Sequence, residues 1–259
     1  MTEPRCETTE DAFLGGQLRL RQPKSGHRAG HDAMLLAAAT PARPGDRVVD
    51  LGAGAGAAGL ALAKRVPAIE LLLVEFDLEL AELARGNAAS NAIAADVVVL
   101  DVTSAPDQFA AAGLSPDSVD VVLMNPPFND PVRHRASPDR ARATAHVASA
   151  AMLADWVHAA RRVLKSQGAL TLIWRADALA EVLTVLDRGF GSLAILPIHG
   201  DATAPAIRVL VRATKGGKAP TRILAGLMLT EKSAVPNKQV QDVLADVLAG
   251  KGVLPLAIP

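Results

Sequence analysis

Tyrosine is absent from the 259-residue chain, and aromatic residues together make up 3% of it. An aromatic at a loop tip therefore stands out as something other than filler. A single cysteine, Cys6, excludes an internal disulfide and fits a reducing compartment. No run of about 18 uncharged apolar residues occurs, which argues against a transmembrane helix. The opening Met1-Thr-Glu-Pro-Arg lacks a basic stretch followed by an apolar one, so no signal peptide is expected, and a cytoplasmic location follows by default. Net charge is missing too: 27 basic residues balance 27 acidic ones, leaving no global field to attract a polyanion. Any contact with nucleic acid must come from a local cluster. What the chain does have is apolar content, half of its residues. At this length that is enough to bury the core of one α/β domain with small additions.

From residue 46 onward, strand and helix patterns alternate. Strands are predicted over 46–51, 69–75, 96–101, 118–124 and 168–174, and helices over 56–66, 77–90, 105–113, 149–165 and 176–187. That alternation argues for a parallel sheet covered on both faces. Two further strands, 192–199 and 206–213, have no helix between them and should be antiparallel neighbours. Upstream, residues 1–10 are polar and expected to fray. Apolar positions over 13–20 alternate around Gly15-Gly16, which predicts a hairpin with a two-residue turn. A helix should run over 33–39, stopped by Thr40-Pro41. Downstream, 214–222 reads as a basic flexible loop, and 237–249 as a helix without an assigned role. The expected organisation is an N-terminal hairpin and helix (1–45) packed on the core, a ligand-binding domain (46–213) and a C-terminal extension (214–259).

Two stretches carry chemistry. In Asp50-x-Gly52-x-Gly54-x-Gly56 a carboxylate at a strand tip precedes glycines, which allow a tight turn and close approach of a ligand to the main chain. The frame is ambiguous, because Gly54-Ala-Gly56-Ala-Ala-Gly59 also fits a dinucleotide-binding pattern. Glu75, 19 residues after Gly56, ends the next strand and could accept both ribose hydroxyls of a nucleoside. Asp101 ends the third and suits an adenine amino group. The plainer alternative is that these acids are solvated strand ends, although three successive acidic tips exceed what turns require. The second stretch is Val119–Phe128, where a β-branched run stops at Asn125-Pro126-Pro127-Phe128. Prolines cannot continue the ladder, so these four residues should form a stiff loop at the carboxyl end of a strand, where open α/β sheets place ligands.

Together the two stretches resemble class I S-adenosylmethionine-dependent methyltransferases. Asn125-Pro126-Pro127-Phe128 is similar to the motif of enzymes that methylate an exocyclic or amide nitrogen conjugated to a π-system: amino-DNA methyltransferases, small-subunit-type ribosomal RNA guanine methyltransferases and release-factor glutamine methyltransferases. Within that group, three features resemble the bacterial transfer RNA (adenine-N6)-methyltransferase family, which acts on an anticodon-loop adenine of valine tRNA. They are Gly26-His-Arg-Ala-Gly30-His-Asp32 before a Leu-Leu helix, the Asn87 to Asn91 spacing, and Ser137-Pro-Asp-Arg-Ala-Arg142 with His146 downstream. The resemblance implies a Rossmann-like α/β fold: a seven-stranded, mostly parallel sheet in the order 3-2-1-4-5-7-6. It also implies S-adenosylmethionine held by Asp50, Gly52, Gly54, Gly56, Glu75 and Asp101. Asp32 is open to two readings, a helix cap or a contact closing over the methionine end of the cofactor.

A conjugated amine is a weak nucleophile because its lone pair is delocalised. The side-chain oxygen of Asn125 and the main-chain oxygen of Pro126 can accept its hydrogens and draw the nitrogen toward a tetrahedral shape, with Phe128 as a stacking face. Pro127 belongs to the same substrate loop. Beyond it, Asp130 to His146 holds four arginines and two histidines against two acids. Arg133, Arg135 and Arg140 are candidates to grip phosphates beside a target nucleotide; the alternative is a solvated surface loop. Arg208, Arg212, Lys215, Lys218 and Arg222 form a second basic group that could extend the track. His134 and His146 have no partners at metal-ligand spacing, so no metal is expected. Cys6, Trp156 and Trp174 are read as structural or incidental. The favoured function is methylation of adenine N6 in structured RNA, with tRNA the leading partner. The alternatives are a protein glutamine or small-molecule methyltransferase, and a non-catalytic cofactor- and RNA-binding module.

Overall fold

The computed structural model describes residues 7–25, 28–127, 138–201, 203–229, 246–247 and 250, and for 138–149 only the backbone. Strands β1 (Thr8–Phe13) and β2 (Leu18–Pro23) form an antiparallel hairpin in which Phe13 faces Leu18. The turn is therefore four residues long, Leu14 to Gln17, not two. Leu14 is drawn inward to 5% exposure, and Gly15 and Gly16, at φ 64° and 88°, absorb the reversal. Residues 8–10, expected to fray, are instead paired with 21–23. Their partner strand is anchored by Leu18 and Leu20, both fully buried.

The domain proper alternates as expected: α1 (His31–Ala39), β3 (Arg47–Leu51), α2 (Ala57–Arg65), β4 (Glu70–Glu75), α3 (Leu78–Ser90), β5 (Asp96–Val99), α4 (Pro106–Ala111), β6 (Val119–Met124), α5 (Pro138–Val163), β7 (Leu164–Arg175), α6 (Leu179–Leu186), β8 (Phe190–His199) and β9 (Ala206–Lys215). Two short strands follow, β10 (Arg222–Ile223) and β11 (Leu227–Met228). The sheet runs β10-β8-β9-β7-β6-β3-β4-β5, with β11 also on β8. Counting β3 to β9 as strands one to seven, the order is 3-2-1-4-5-7-6, with β3 to β7 parallel and β9 antiparallel to both its neighbours. The seven expected strands become nine because the C-terminal extension lays β10 and β11 along the β8 edge, where they satisfy backbone groups an edge leaves open.

Alternation along the strands builds two cores. Leu71, Leu73, Val121 and Leu123 face α1, α2 and α3, whereas Leu72, Val74, Val122 and Met124 face α4, α5 and α6. Helix α5 starts at Pro138, eleven residues before the expected 149, since proline at a first helical position forfeits no hydrogen bond. Strand β7 is likewise longer than predicted, beginning at Leu164 with an irregular pairing to β6. The helix predicted over 237–249 lies outside the described residues except at 246–247.

The hairpin is fixed to the domain by two asparagines four residues apart, Asn87 on α3 and Asn91 at its C-cap. Asn87 Oδ1 accepts from the Arg21 amide at 2.8 Å and Asn87 Nδ2 donates to the Arg21 carbonyl at 3.0 Å. Asn91 repeats the pattern on Arg19, at 2.9 Å and 2.7 Å. A four-residue step on a helix matches a two-residue step on a strand, so two side-chain amides do for β2 what a neighbouring strand would.

Candidate functional site

At the carboxyl end of β3 the backbone turns through Gly52, Gly54 and Gly56, at φ 70°, 56° and 88°. This left-handed region favours glycine, but the three residues differ in their surroundings. A Cβ on Gly52 would collide with the Trp156 indole, which packs directly on the turn. A Cβ on Gly54 would meet nothing within 4 Å. Gly54 therefore borders open space in which a ligand can lie against main chain.

Asp50 is buried at 2% exposure, and its Oδ2 accepts from the Gly59 amide at 2.8 Å, tying the strand tip to the first turn of α2. Burial pushes its carboxyl up from 3.8 to about 7, the Gly59 amide offsets part of that, and the negative charge of Glu75 adds to it. Glu75, 4% exposed, braces the glycine turn: Oε2 accepts from the Gly54 amide at 2.7 Å and Oε1 from the Asp77 amide at 2.9 Å. Each oxygen retains a further lone pair for a ligand hydroxyl.

The other half of the site is the end of β6. Asn125 follows Met124 directly, and its Oδ1 is buried with no hydrogen-bond partner among the described residues. An acceptor in that condition costs free energy unless a donor arrives. Asn125 lines one narrow cleft with Asp50, Gly52, Gly54, Gln22 and Leu80. Pro126 is buried and Pro127 exposed.

The structure thus brings together Asp50, Gly52, Gly54 and Asn125, with Glu75 attached through Gly54. Gly56 precedes α2 and packs on Leu60 and Leu73. Asp101 stands apart and exposed: β5 ends at Val99, and Asp101 Oδ1 is engaged by the amide and hydroxyl of Thr103, both at 2.7 Å, in a turn. Asp32 does not cap α1, whose N-cap is Gly30; it pairs with Arg208 Nε at 3.0 Å. Phe128, Arg133, His134 and Arg135 lie outside the described residues, as do the side chains of Arg140 and His146.

The second basic group does not form one strip. Arg208 is held by Asp32, Lys215 Nζ reaches Asp117 at 2.7 Å, and Arg212 is buried at 2% exposure. Alternation on β9 turns its arginines toward α1 rather than toward solvent.

Three residues have roles at the site that the sequence reading did not assign. Asn87 Nδ2 also donates to Ala55 O at 2.9 Å, so the hairpin clamp reaches the glycine turn. Its spacing with Asn91 was visible, but its partners were not. Trp156 owes its place to tertiary packing alone. Phe76, 69% exposed, directly follows Glu75; in a chain so poor in aromatics, its position after an acidic strand tip was a usable signal.

The cleft suits an adenosyl sulfonium donor: open main chain at Gly54, carboxylate lone pairs at Glu75 and an orphan acceptor at Asn125. Comparison with known proteins is consistent with that fit. The family model described as "Methyltransferase small domain" matches residues 25–200. A tRNA1(Val) (adenine(37)-N6)-methyltransferase from Porphyromonas gingivalis is 30% identical over 66% of this chain and 68% of its own length. One from Enterobacter sp. (strain 638) is 27% identical over 93% and 91%. Among solved structures, a predicted O-methyltransferase from Agrobacterium tumefaciens is 33% identical with a TM-score of 0.69, covering 86% of this chain and 98% of that one. A Thermus thermophilus 16S rRNA N2 G1207 methyltransferase in complex with AdoMet and guanosine shares the fold, with a TM-score of 0.58 at 21% identity over 83% and 52%. On the family match, the sheet order and the cleft at its carboxyl edge, the chain belongs to the methyltransferase small domain family and is an S-adenosylmethionine-dependent methyltransferase.

Proposed function

We propose that the acceptor is a conjugated amino nitrogen, and that it is N6 of an adenine in structured RNA, with tRNA the first candidate. The observation that carries this reading is the orphan Oδ1 of Asn125 at the strand end facing the glycine turn. An amine donates to that oxygen, whereas an acceptor already stripped of its proton has nothing to donate. Pro126 has no backbone N–H to compete there and contributes a carbonyl as second acceptor. Two acceptors on one nitrogen localise its lone pair, so no strong base is required.

S-adenosylmethionine supplies an already activated methyl group, and the residues that would hold it are Glu75, the Gly52–Gly56 turn and Phe76. Their task is to bind and orient, which is where most of the acceleration of such a transfer originates. Asp101 keeps one carboxylate oxygen, Oδ2, outside its turn and would serve the adenine edge. Asp32, held by Arg208, would sit over the remaining end of the donor. Phe128 and the arginines at 133, 135 and 140 are assigned to the RNA: one stacking face and three phosphate contacts. The choice of adenine in tRNA is supported by the names of the two relatives similar to this chain.

The test uses Asn125→Ala. Turnover with tRNA from cells lacking the gene should fall by about 10²–10³-fold, while calorimetric affinity for S-adenosylmethionine stays within a few-fold. Retained turnover rejects the role of Asn125. Wild-type enzyme that leaves no N6-methyladenosine in that tRNA, by nucleoside mass spectrometry, rejects the substrate and turns attention to a protein glutamine or small molecule.

A further inference from the structure

The methyl-transfer cleft lies at the carboxyl ends of the parallel strands. A second and larger cavity, of about 580 Å³, opens at their amino ends, where the C-terminus of α1 and the loop after it overhang the starts of β3, β6 and β7. Four cationic side chains line it, Arg43, Arg65, Lys165 and Arg212, against two acidic ones, Asp46 and Asp120. In a protein with no net charge, that local excess is notable. The acids are also engaged: Asp120 Oδ1 is 2.6 Å from Lys165 Nζ and its Oδ2 accepts from the Arg47 amide at 2.9 Å, while Asp46 Oδ2 accepts from the Arg43 amide at 2.8 Å.

Arg212 is the centre of this arrangement. It is 2% exposed, and neither Nε nor Nη2 has a hydrogen-bond partner among the described residues. Those two N–H groups share one edge of the guanidinium, the edge that meets a carboxylate or phosphate with two parallel hydrogen bonds. Arg65 shows the same condition at Nε, although its Nη2 donates to Ala37 O and Thr40 O at 3.0 Å and 2.5 Å. Across the ladder from Arg212, the Thr171 hydroxyl is buried without a partner. Burial, aided by the charge of Arg222 two strands away, depresses Arg212 to about 10, so it stays protonated near neutrality. A buried cation with two unpaired donors and no ion pair among the described residues is costly, and the cost is relieved by an anion.

We infer that this cavity is a binding site for the phosphate group of a small phosphorylated molecule, gripped side-on by Arg212 with Arg65 and Arg43 at its rim. Two cationic groups in excess of the acids suit a phosphate dianion better than a monocarboxylate. The cavity volume falls in the range of small-molecule sites, on the order of 300–1,000 Å³. The site stands on the opposite edge of the sheet from Asn125, about 15 Å away along a five-residue strand, and it does not rest on the RNA assignment.

The experiment is a thermal-shift and calorimetric titration of the full chain with inorganic phosphate, ribose 5-phosphate and acetate at fixed ionic strength. A short unphosphorylated RNA serves as the backbone-phosphate arm. Saturable stabilisation by phosphate or ribose 5-phosphate, and not by acetate, is expected. Arg212→Lys keeps the charge but loses the fork and should weaken binding at least tenfold; Arg43→Ala, at an exposed position, should weaken it severalfold without threatening the fold. Affinity for S-adenosylmethionine should be unchanged in both. Equal responses to acetate and phosphate, a phosphate response untouched in Arg43→Ala, or displacement only by RNA would each overturn the assignment.

Discussion

The ionisation of Asp50 gives a prediction whose size can be worked out. The unfolded chain ionises this carboxyl near 3.8, whereas the native state retains the proton to about 7. Between those values the native state binds more protons, so the contribution of Asp50 to stability falls as pH rises through that window and is constant above it. Roughly three units at 1.36 kcal/mol each is about 4 kcal/mol. Asp50→Asn keeps an oxygen for the Gly59 amide and removes the ionisation. The variant should therefore match wild type near pH 4 and exceed it by about 4 kcal/mol above pH 7. Urea unfolding of both proteins, in the absence of methyl donor and at closely spaced pH, gives the difference directly. Groups remote from Asp50 titrate in both proteins and cancel in the subtraction. A gap that stays constant with pH, or that favours wild type in the alkaline range, would refute the reasoning.

The glycine turn offers a contrast between two substitutions. Gly52→Ala should lose about 2–4 kcal/mol, because left-handed strain adds to a Cβ forced into Trp156; thermal unfolding measures it. Gly54→Ala meets no atom within 4 Å, so it should lose only about 1 kcal/mol; if the methyl donor lies there as proposed, the added methyl intrudes on it, and calorimetry should show the affinity reduced at least tenfold. Asn87→Ala removes three hydrogen bonds from a residue 1% exposed. At about 1 kcal/mol each, a loss of roughly 3 kcal/mol is expected, with accelerated amide exchange at Arg21 but not at the far edge in β8.

Much of this was legible in the chain because the signals were local. The alternation of β-branched runs with helix formers locates β3 to β6 within a residue or two at most ends, and Asn-Pro-Pro at a strand end needs no tertiary information to read as a loop. Asp50 and Glu75 were placed by spacing alone, but the atoms they contact were not: Asp50 accepts from the Gly59 amide in α2 and Glu75 from the Gly54 amide of the turn before any ligand is considered. Asp101 shows the limit of the spacing argument, since the edge strand β5 stops two residues short of it and the acid closes a turn with Thr103. Arg212 is the clearest case of information the sequence does not hold. As one of five nearby basic residues it read as a possible extension of the basic track, and only its place on β9 shows that it is buried. The hairpin turn was misjudged because Leu14 was counted as a strand position, when its burial makes it part of the loop.

Trp156 lies against Gly52 with no side chain between indole and turn, and the second indole of the chain, Trp174, is sealed in the core away from solvent. With no tyrosine to contribute, emission excited beyond phenylalanine absorption comes from these two groups, and of the two Trp156 packs on the glycine turn proposed to hold the donor. The enzyme thus carries its own optical probe: a change of quantum yield on adding methyl donor, lost in Trp156→Phe, would report occupancy of the turn without a label, fast enough for stopped-flow work.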